Sequence, residues 1–201
     1  AMLVTLAYAI GTVLVGLLIG IICGTALLAN RWYINLPIHI YVEIFRCTPV
    51  LVQIVWFFFA LPMIVGANLP AWLASGIGLS LYMGCFSTEI FRGGISSIPI
   101  GQHEASKSLG LNSWQRMRLI IFPQALRFIL PPIGNQFVYI IKMSSLVSII
   151  GLADLTRKAN ELVVSVYRPL EIYSFLVLEY MALILIISYF VRLLEKKLMQ
   201  F

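Results

Sequence analysis

Apolar residues fall in long runs along this chain, and polar residues fill a few short gaps between them. A helix needs about 20 mostly apolar residues to cross a bilayer. Four runs approach or exceed that measure: residues 3–28, ended by Asn30 and Arg31; 49–65, preceded by the polar stretch 43–48; 71–91; and 173–194, ended by Glu195, Lys196 and Lys197. A fifth run, 126–152, is apolar but interrupted by Pro131, Pro132, Gly134, Asn135, Gln136, Lys142, Ser144, Ser145 and Gly151. Such breaks survive at membrane depth only where protein or a water-filled cavity satisfies the freed backbone groups. The segment is therefore expected to line a polar passage. The predicted fold class is all-α, a polytopic membrane protein with five spans.

Five spans place the termini on opposite sides. With the C-terminus inside, the inner loops and ends hold Arg31, Arg92, Lys107, Arg116, Arg118, Arg127, Arg192, Lys196 and Lys197. The outer loop, 154–168, then holds Arg157, Lys158 and Arg168, balanced by Asp154, Glu161 and nearby Glu171. Cations collect on the cytoplasmic side, so the expected orientation is N-terminus out and C-terminus in.

Composition agrees. Of the 201 residues 61% are hydrophobic and 11% charged, against roughly 45–50% and 25% in soluble domains. One membrane domain over residues 1–201 is expected, with the lipid bilayer as its solvent. A net charge of +6 would suggest nucleic acid on a soluble chain; here it reflects the inner cations, and no nucleic-acid partner is expected. The first run is longer than a signal-peptide core and has no basic segment before it, so it is expected to stay. Cys23, Cys47 and Cys85 stand apart in apolar runs and read as small buried hydrophobes. His39 and His103 are isolated, so no metal site is expected. Nor do His, Asp and Glu cluster as a catalytic centre would require.

Ionisable residues near membrane depth suggest function. Glu43 and Arg46, near the inner edge of the second span, are spaced to pair on one helical face, as a structural or gating pair or as solute contacts. Glu89 and Arg92 repeat the spacing. Lys142, Ser144 and Ser145 follow the interrupted run; they could orient a carboxylate or satisfy broken backbone. Glu179 lies in the first third of the last span, as a solute contact or a snorkelling acid. Acids such as Glu89 and Glu179 would favour a cationic solute. The mixed charges of 154–168 fit a transient docking surface or a solvated loop.

The longest polar stretch is 92–127. Residues 102–109 can form a short helix, ended by Gly110 as its C′ residue. Asn112 and Gln115 resemble a capping box for a second helix, fed by Trp114, Met117, Leu119 and Ile120 and ended by Pro123. Ala105, Ser106 and Ser108 would give the first helix a small-residue surface for close approach to a partner. An ordinary interfacial loop is the alternative.

The spacing Glu104-Ala105-Ser106, three residues, Gly110, nine residues, Ile120, one residue, Phe122-Pro123 resembles the EAA loop of ABC importer permeases, E-A-A-x3-G-x9-I-x-L-P. Ser106 and Phe122 depart from it. Residues 41–53, including Thr48 and Pro49, with 88–95, 101–105, 122–137 and 142–155, resemble the polar amino acid subfamily, the histidine, arginine and glutamine type. Cys47 stands where that subfamily usually has Gly, and Met143-Ser144 where Asp-Thr is common.

The resemblance implies a type I permease with five core helices. Gln102, Glu104, Ala105, Ser106, Ser108, Leu109 and Gly110 would couple it to a cytoplasmic ATPase dimer that binds ATP and Mg. It further implies a second permease, identical or homologous, and an extracytoplasmic solute-binding protein delivering a polar amino acid. This chain has no G-x-x-x-x-G-K-[ST] loop, so it is expected to bind no cofactor itself. Alternating access is the implied mechanism. A secondary transporter or channel would need an inverted repeat or a filter-like run, and neither is visible.

Overall fold

The structure is a computed structural model that describes residues 2–29 and 31–199. Asn30, expected to help end the first span, lies outside them. Among the described residues every regular element is helical. Helix α1 (Met2–Ala26) runs into a 3-10 turn, Leu27–Ala29. Then follow α2 (Trp32–Cys47), α3 (Val50–Val55), a π turn (Trp56–Ala60) and α4 (Leu61–Val65). Next come α5 (Ala71–Ser96), α6 (Ile100–Ser108), α7 (Ser113–Arg116), a second π turn (Met117–Ile121) and α8 (Phe122–Met143). A 3-10 segment, Ser144–Ile150, leads to α9 (Leu155–Val166) and α10 (Pro169–Met199).

Helix α5 is the hub. It packs against α1, α2, α3 and α8 and buries Ser75, Ser80, Ser87 and Thr88 along its length. Such hydroxyls would be poor lipid-facing residues. Here two of them bond within the helix: Ser75 Oγ donates to the Ala71 carbonyl at 2.6 Å and Thr88 Oγ1 to the Gly84 carbonyl at 2.8 Å. Helices Met2–Ala29, Ser113–Ile150 and Pro169–Lys197 are long and apolar enough to cross a membrane. Helix α5 is also long enough, at 26 residues, and neighbouring helices cover most of it.

Glycine fixes how α1 meets α5. Gly16, Gly20 and Gly24 recur every fourth residue on one face, and a methyl at any of them would strike Met83, Ser87 or Phe91 respectively. Tyr8 Oη donates to Ser75 Oγ at 2.6 Å in the same register, an offset of 67 residues. A constant offset means that the two helices run parallel. Close backbone approach over a small-residue stripe is the usual membrane-helix solution. Val13, Ile54, Leu79, Met83, Ile140 and Val147 form the core where α1, α3, α5, α8 and the 3-10 segment converge.

Several elements depart from the sequence expectation. The stretch 43–48 is not a polar lead-in: it ends α2, which meets the run Val50–Val65 at 108°. Buried Gln53 pins this elbow, its Nε2 reaching the Phe45 carbonyl at 2.8 Å and Thr48 Oγ1 at 2.6 Å. Pro123 does not end the helix begun at Ser113. The π turn widens the helix just before it, and Gln124 Nε2 takes the Ile120 carbonyl at 2.9 Å. Pro62 follows the other π turn at the same offset. A widened turn gives a proline ring room beside the preceding carbonyls.

Pro131 and Pro132 likewise leave α8 helical, so the regular helix changes only after Met143, with Gly151 closing the 3-10 segment at φ 93°. The stretch 154–168, expected as an outer loop, is largely a helix, α9. Asp154 caps it, accepting from Arg157 N at 2.8 Å, while Leu155 N donates to Thr5 Oγ1 at 3.2 Å. Tyr180 Oη reaches both Thr156 and Asp154. This knot fastens α9 to α1 and α10. Finally, Cys47 is exposed rather than buried, its thiol 3.5 Å from Glu43.

Candidate functional site

Helix α6 forms as the spacing predicts, over Ile100–Ser108, with Pro99 before it and Leu109 as C-cap. Gly110 sits at φ 73°, in the left-handed region where a side chain is strained. Its N–H donates to the Lys107 carbonyl at 3.0 Å, and Leu111 N to the Ser106 carbonyl at 3.3 Å, a helix stop of the Schellman kind. The capping box is complete: Gln115 N donates to Asn112 Oδ1 at 2.9 Å and Asn112 N to Gln115 Oε1 at 3.0 Å. A short helix, a sharp stop and a capped restart thus follow from local sequence.

The two faces of α6 differ. Gln102, Glu104, Ala105, Ser108, Leu109 and Gly110 are exposed, and a Cβ added at Gly110 would meet nothing. Ser106 corrects the expected small-residue surface: it is wholly buried and donates to the His103 carbonyl at 2.8 Å. Position 106 therefore seats α6 on its own chain, against the π turn Met117–Ile121. Gln124 Nε2 reaches Gln102 Oε1 at 3.3 Å. Below lies a core of Phe91, Ile95, Ile98, Ile121, Ala125 and Ile129 joining α5 to α8. Ile100 and Leu109 are 75% and 74% exposed, single apolar groups at the two ends of a mainly polar helix.

Both charge pairs form. Arg46 Nη2 lies 2.6 Å from Glu43 Oε1, and Arg92 Nη2 lies 2.7 Å from Glu89 Oε2. The first pair lies in the last turns of α2, beside the elbow with α3. Tyr41 Oη donates to the Leu81 carbonyl at 2.6 Å, and Arg46 shares a cavity wall with Tyr82, near the midpoint of α5. That cavity, of about 430 Å³, is lined also by Cys47, Thr48, Pro49, Tyr139 and Met143. Thr48 Oγ1 donates to the Ile44 carbonyl at 2.7 Å and helps Gln53 shape the elbow.

The residues expected along a passage are not brought together. Lys142 lines a separate cavity of about 480 Å³ with Asn135, Arg192 and Glu195. Glu179 lines another, of about 450 Å³, between α9 and α10 with Lys158 and Glu171. Of the two serines, Ser144 is buried and donates to the Ile141 carbonyl at 2.8 Å, and Ser145 donates to the Lys142 carbonyl at 2.7 Å. Their hydroxyls are spent on carbonyls near the end of α8, which supports the backbone-satisfying alternative. Tyr82, Tyr139 and Gln53 were not singled out from the sequence; the tyrosines sit in apolar runs where only the fold shows which way they face.

On α9, Lys158 Nζ lies 2.6 Å from Glu161 Oε2 and Arg157 Nε 3.5 Å from Glu161 Oε1. The hydrogen bond from Lys158 holds the Glu161 carboxyl below its ordinary range. Burial pushes Asp154 above its ordinary range, against the opposing effect of the Arg157 N–H. Among the described residues no group of three or more His, Cys, Asp or Glu is placed to hold a metal.

Comparison with known proteins places this arrangement. Residues 16–200 match the family described as binding-protein-dependent transport system inner membrane component. The glutamine transport system permease protein GlnP of Escherichia coli K12 is 37% identical over 184 residues, covering 91% of this chain and 84% of that protein. A putative glutamine transport system permease protein of Rickettsia felis is 33% identical over 196 residues, covering 98% and 90%. The crystal structure of an amino acid ABC transporter with histidines superposes with a TM-score of 0.90 at 35% identity, covering 98% and 91%. An inward-facing MetNI methionine ABC transporter superposes at 0.82 with 20% identity, covering 97% and 93%, a likeness of fold. With a family match over nearly its whole length and the all-helical permease architecture, this chain belongs to the inner membrane components of binding-protein-dependent transport systems.

Proposed function

We propose that this chain is the permease subunit of an ATP-driven importer, and that α6 is the helix through which a cytoplasmic ATPase drives it. One observation carries the reading: α6 is seated through buried Ser106, while Glu104, Ala105 and Ser108, with Gly110 beyond, are exposed and unfilled. A lever needs both a firm seat and a free face. Two ATPase copies, carrying ATP and Mg, would move two such helices, one per permease subunit. The permeases would rock between outward- and inward-facing states, ATP and solute each favouring one of them.

The similarity to glutamine permeases and to an amino acid ABC transporter supports a polar amino acid as solute. A solute-binding protein would deliver it on the outer side, where α9 presents Arg157, Lys158 and Glu161. Five crossings are supported by the parallel pairing of α1 and α5. Two parallel helices need the chain between them, Trp32–Val65, to return across the membrane. The cations of α6, α7 and the end of α10 support a C-terminus inside and an N-terminus outside. Glu43–Arg46 and Glu89–Arg92 would serve as gating or structural pairs, and Glu89, Lys142 and Glu179 would meet the solute only at separate points.

Copurification with the ATPase tests the docking role. Gly110→Trp adds a large side chain to a strained position on the free face. It is expected to abolish the complex while leaving the permease in the membrane. Normal copurification and transport by that variant would refute it.

A further inference from the structure

Two cavities meet at a glycine between α8 and α10. Gly134, Val191 and Glu195 line both. One is an apolar cleft of about 280 Å³, walled by Ile10, Leu14 and Leu17 of α1, Ile133 and Phe137 of α8 and Leu194 of α10. The other is the cavity of about 480 Å³ that holds Asn135, Lys142 and Arg192. A Cβ on Gly134 would come within 2.6 Å of Glu195 Oε1, so the absence of a side chain there lets the carboxylate lie across α8. The two helices run antiparallel: Gly134 meets Val191 and Glu195, while Ile141 packs with Leu183. Side chains lean toward the N-terminus of their helix, so Lys142 and Arg192 lean toward each other. The Arg192 Nε bond to the Ser188 carbonyl, at 3.2 Å, holds that lean. Among the described residues Lys142, Arg192 and Glu195 are in no ion pair. Cations near membrane depth call for a partner, and basic pockets between membrane helices hold lipid head groups.

We propose that the joined cavities bind one anionic phospholipid of the phosphatidylglycerol kind. Arg192 and Lys142 take the phosphate, Glu195 and Asn135 take the glycerol hydroxyls, and part of one acyl chain lies in the cleft between α1, α8 and α10. Charge selects the lipid. Two cations against one acid leave the site one positive charge in excess, which the single negative charge of phosphatidylglycerol cancels. A zwitterionic lipid would leave the excess in place. Depth agrees as well. Glu195, Lys196 and Lys197 end the last apolar run, so the cavity sits close to the head groups of the leaflet at the C-terminal end of α10. A water-soluble phosphate would match the cations but leave the apolar cleft unused. A lipid so placed ties α1 to the α8–α10 pair. The inference goes beyond the importer reading and takes Lys142 for the lipid instead of the solute.

The test is native mass spectrometry of the purified permease–ATPase complex in detergent. The complex is titrated with phosphatidylglycerol, phosphatidylethanolamine, phosphatidylcholine or glycerol 3-phosphate. Each wild-type permease should hold one phosphatidylglycerol and bind the two zwitterionic lipids roughly 10-fold more weakly. Arg192→Gln and Lys142→Gln should each weaken phosphatidylglycerol roughly 10-fold. Leu14→Trp fills the cleft without touching either cation and should also weaken it. Glycerol 3-phosphate should not displace the lipid. Equal binding of the three lipids, or unchanged phosphatidylglycerol binding in all three variants, would overturn the proposal. So would displacement by glycerol 3-phosphate, which would mark a site for a soluble anion. If Arg192→Gln or Lys142→Gln does not assemble, Leu14→Trp decides alone, since it changes a 57% exposed side chain. The measurement needs no transport, so its outcome is independent of the importer reading.

Discussion

Single side chains in this protein often do a different job from the one their type suggests. Ser106 looks like a contact surface and is a seat; Ser144 and Ser145 look like solute ligands and mostly satisfy backbone. Asp154 joins a cap to a buried charge. Its carboxylate satisfies the first turn of α9, but burial raises its pKa. An acid whose folded pKa lies above its unfolded value loses stability as pH rises through that folded value. Asp154→Asn keeps a good cap without the charge, so it should match or exceed the wild type in thermal stability at neutral pH and flatten the pH dependence. Asp154→Ala loses the cap and should cost about 1 kcal/mol. Thermal unfolding of detergent-solubilised protein across pH separates these outcomes.

Among elements, the parallel pair α1 and α5 decides the architecture. Gly20→Ala pushes a methyl into Ser87 and should destabilise by about 1–3 kcal/mol. Gly11→Ala, on the same helix but facing open space, should change stability by less than about 0.5 kcal/mol. A thermal shift of similar size in both variants would contradict the pairing. The long apolar runs were legible in sequence because a bilayer demands length and apolarity, and α6 was legible because its stop and restart are local chemistry. The polar side chains of α5 did not obscure it, as its apolar run was long enough. The bend after Cys47 and the passage of the helix through Pro123 were not legible. Both depend on side chains from elsewhere in the fold or on a widened turn that leaves no mark in hydropathy. Helix α9 was hidden for another reason: its charges gave it the look of a loop.

At the scale of the whole molecule the fold connects the exposed helix α6 to a cavity within the helical core. Helix α6 rests on the core between α5 and α8, and α8 continues from there to Tyr139 beside the elbow cavity. On the proposed reading, a push on α6 would reach this cavity through continuous helix. The proposed orientation predicts that a tag at the N-terminus is cut by protease added outside intact cells and a C-terminal tag is not; the reverse pattern would refute it. The most direct test of the central claim is uptake of radiolabelled amino acids into proteoliposomes holding this permease, its ATPase and the binding protein. Uptake should require ATP, the ATPase and the binding protein together, and should vanish in Gly110→Trp. Uptake by the permease alone, driven by an ion gradient, would contradict the account.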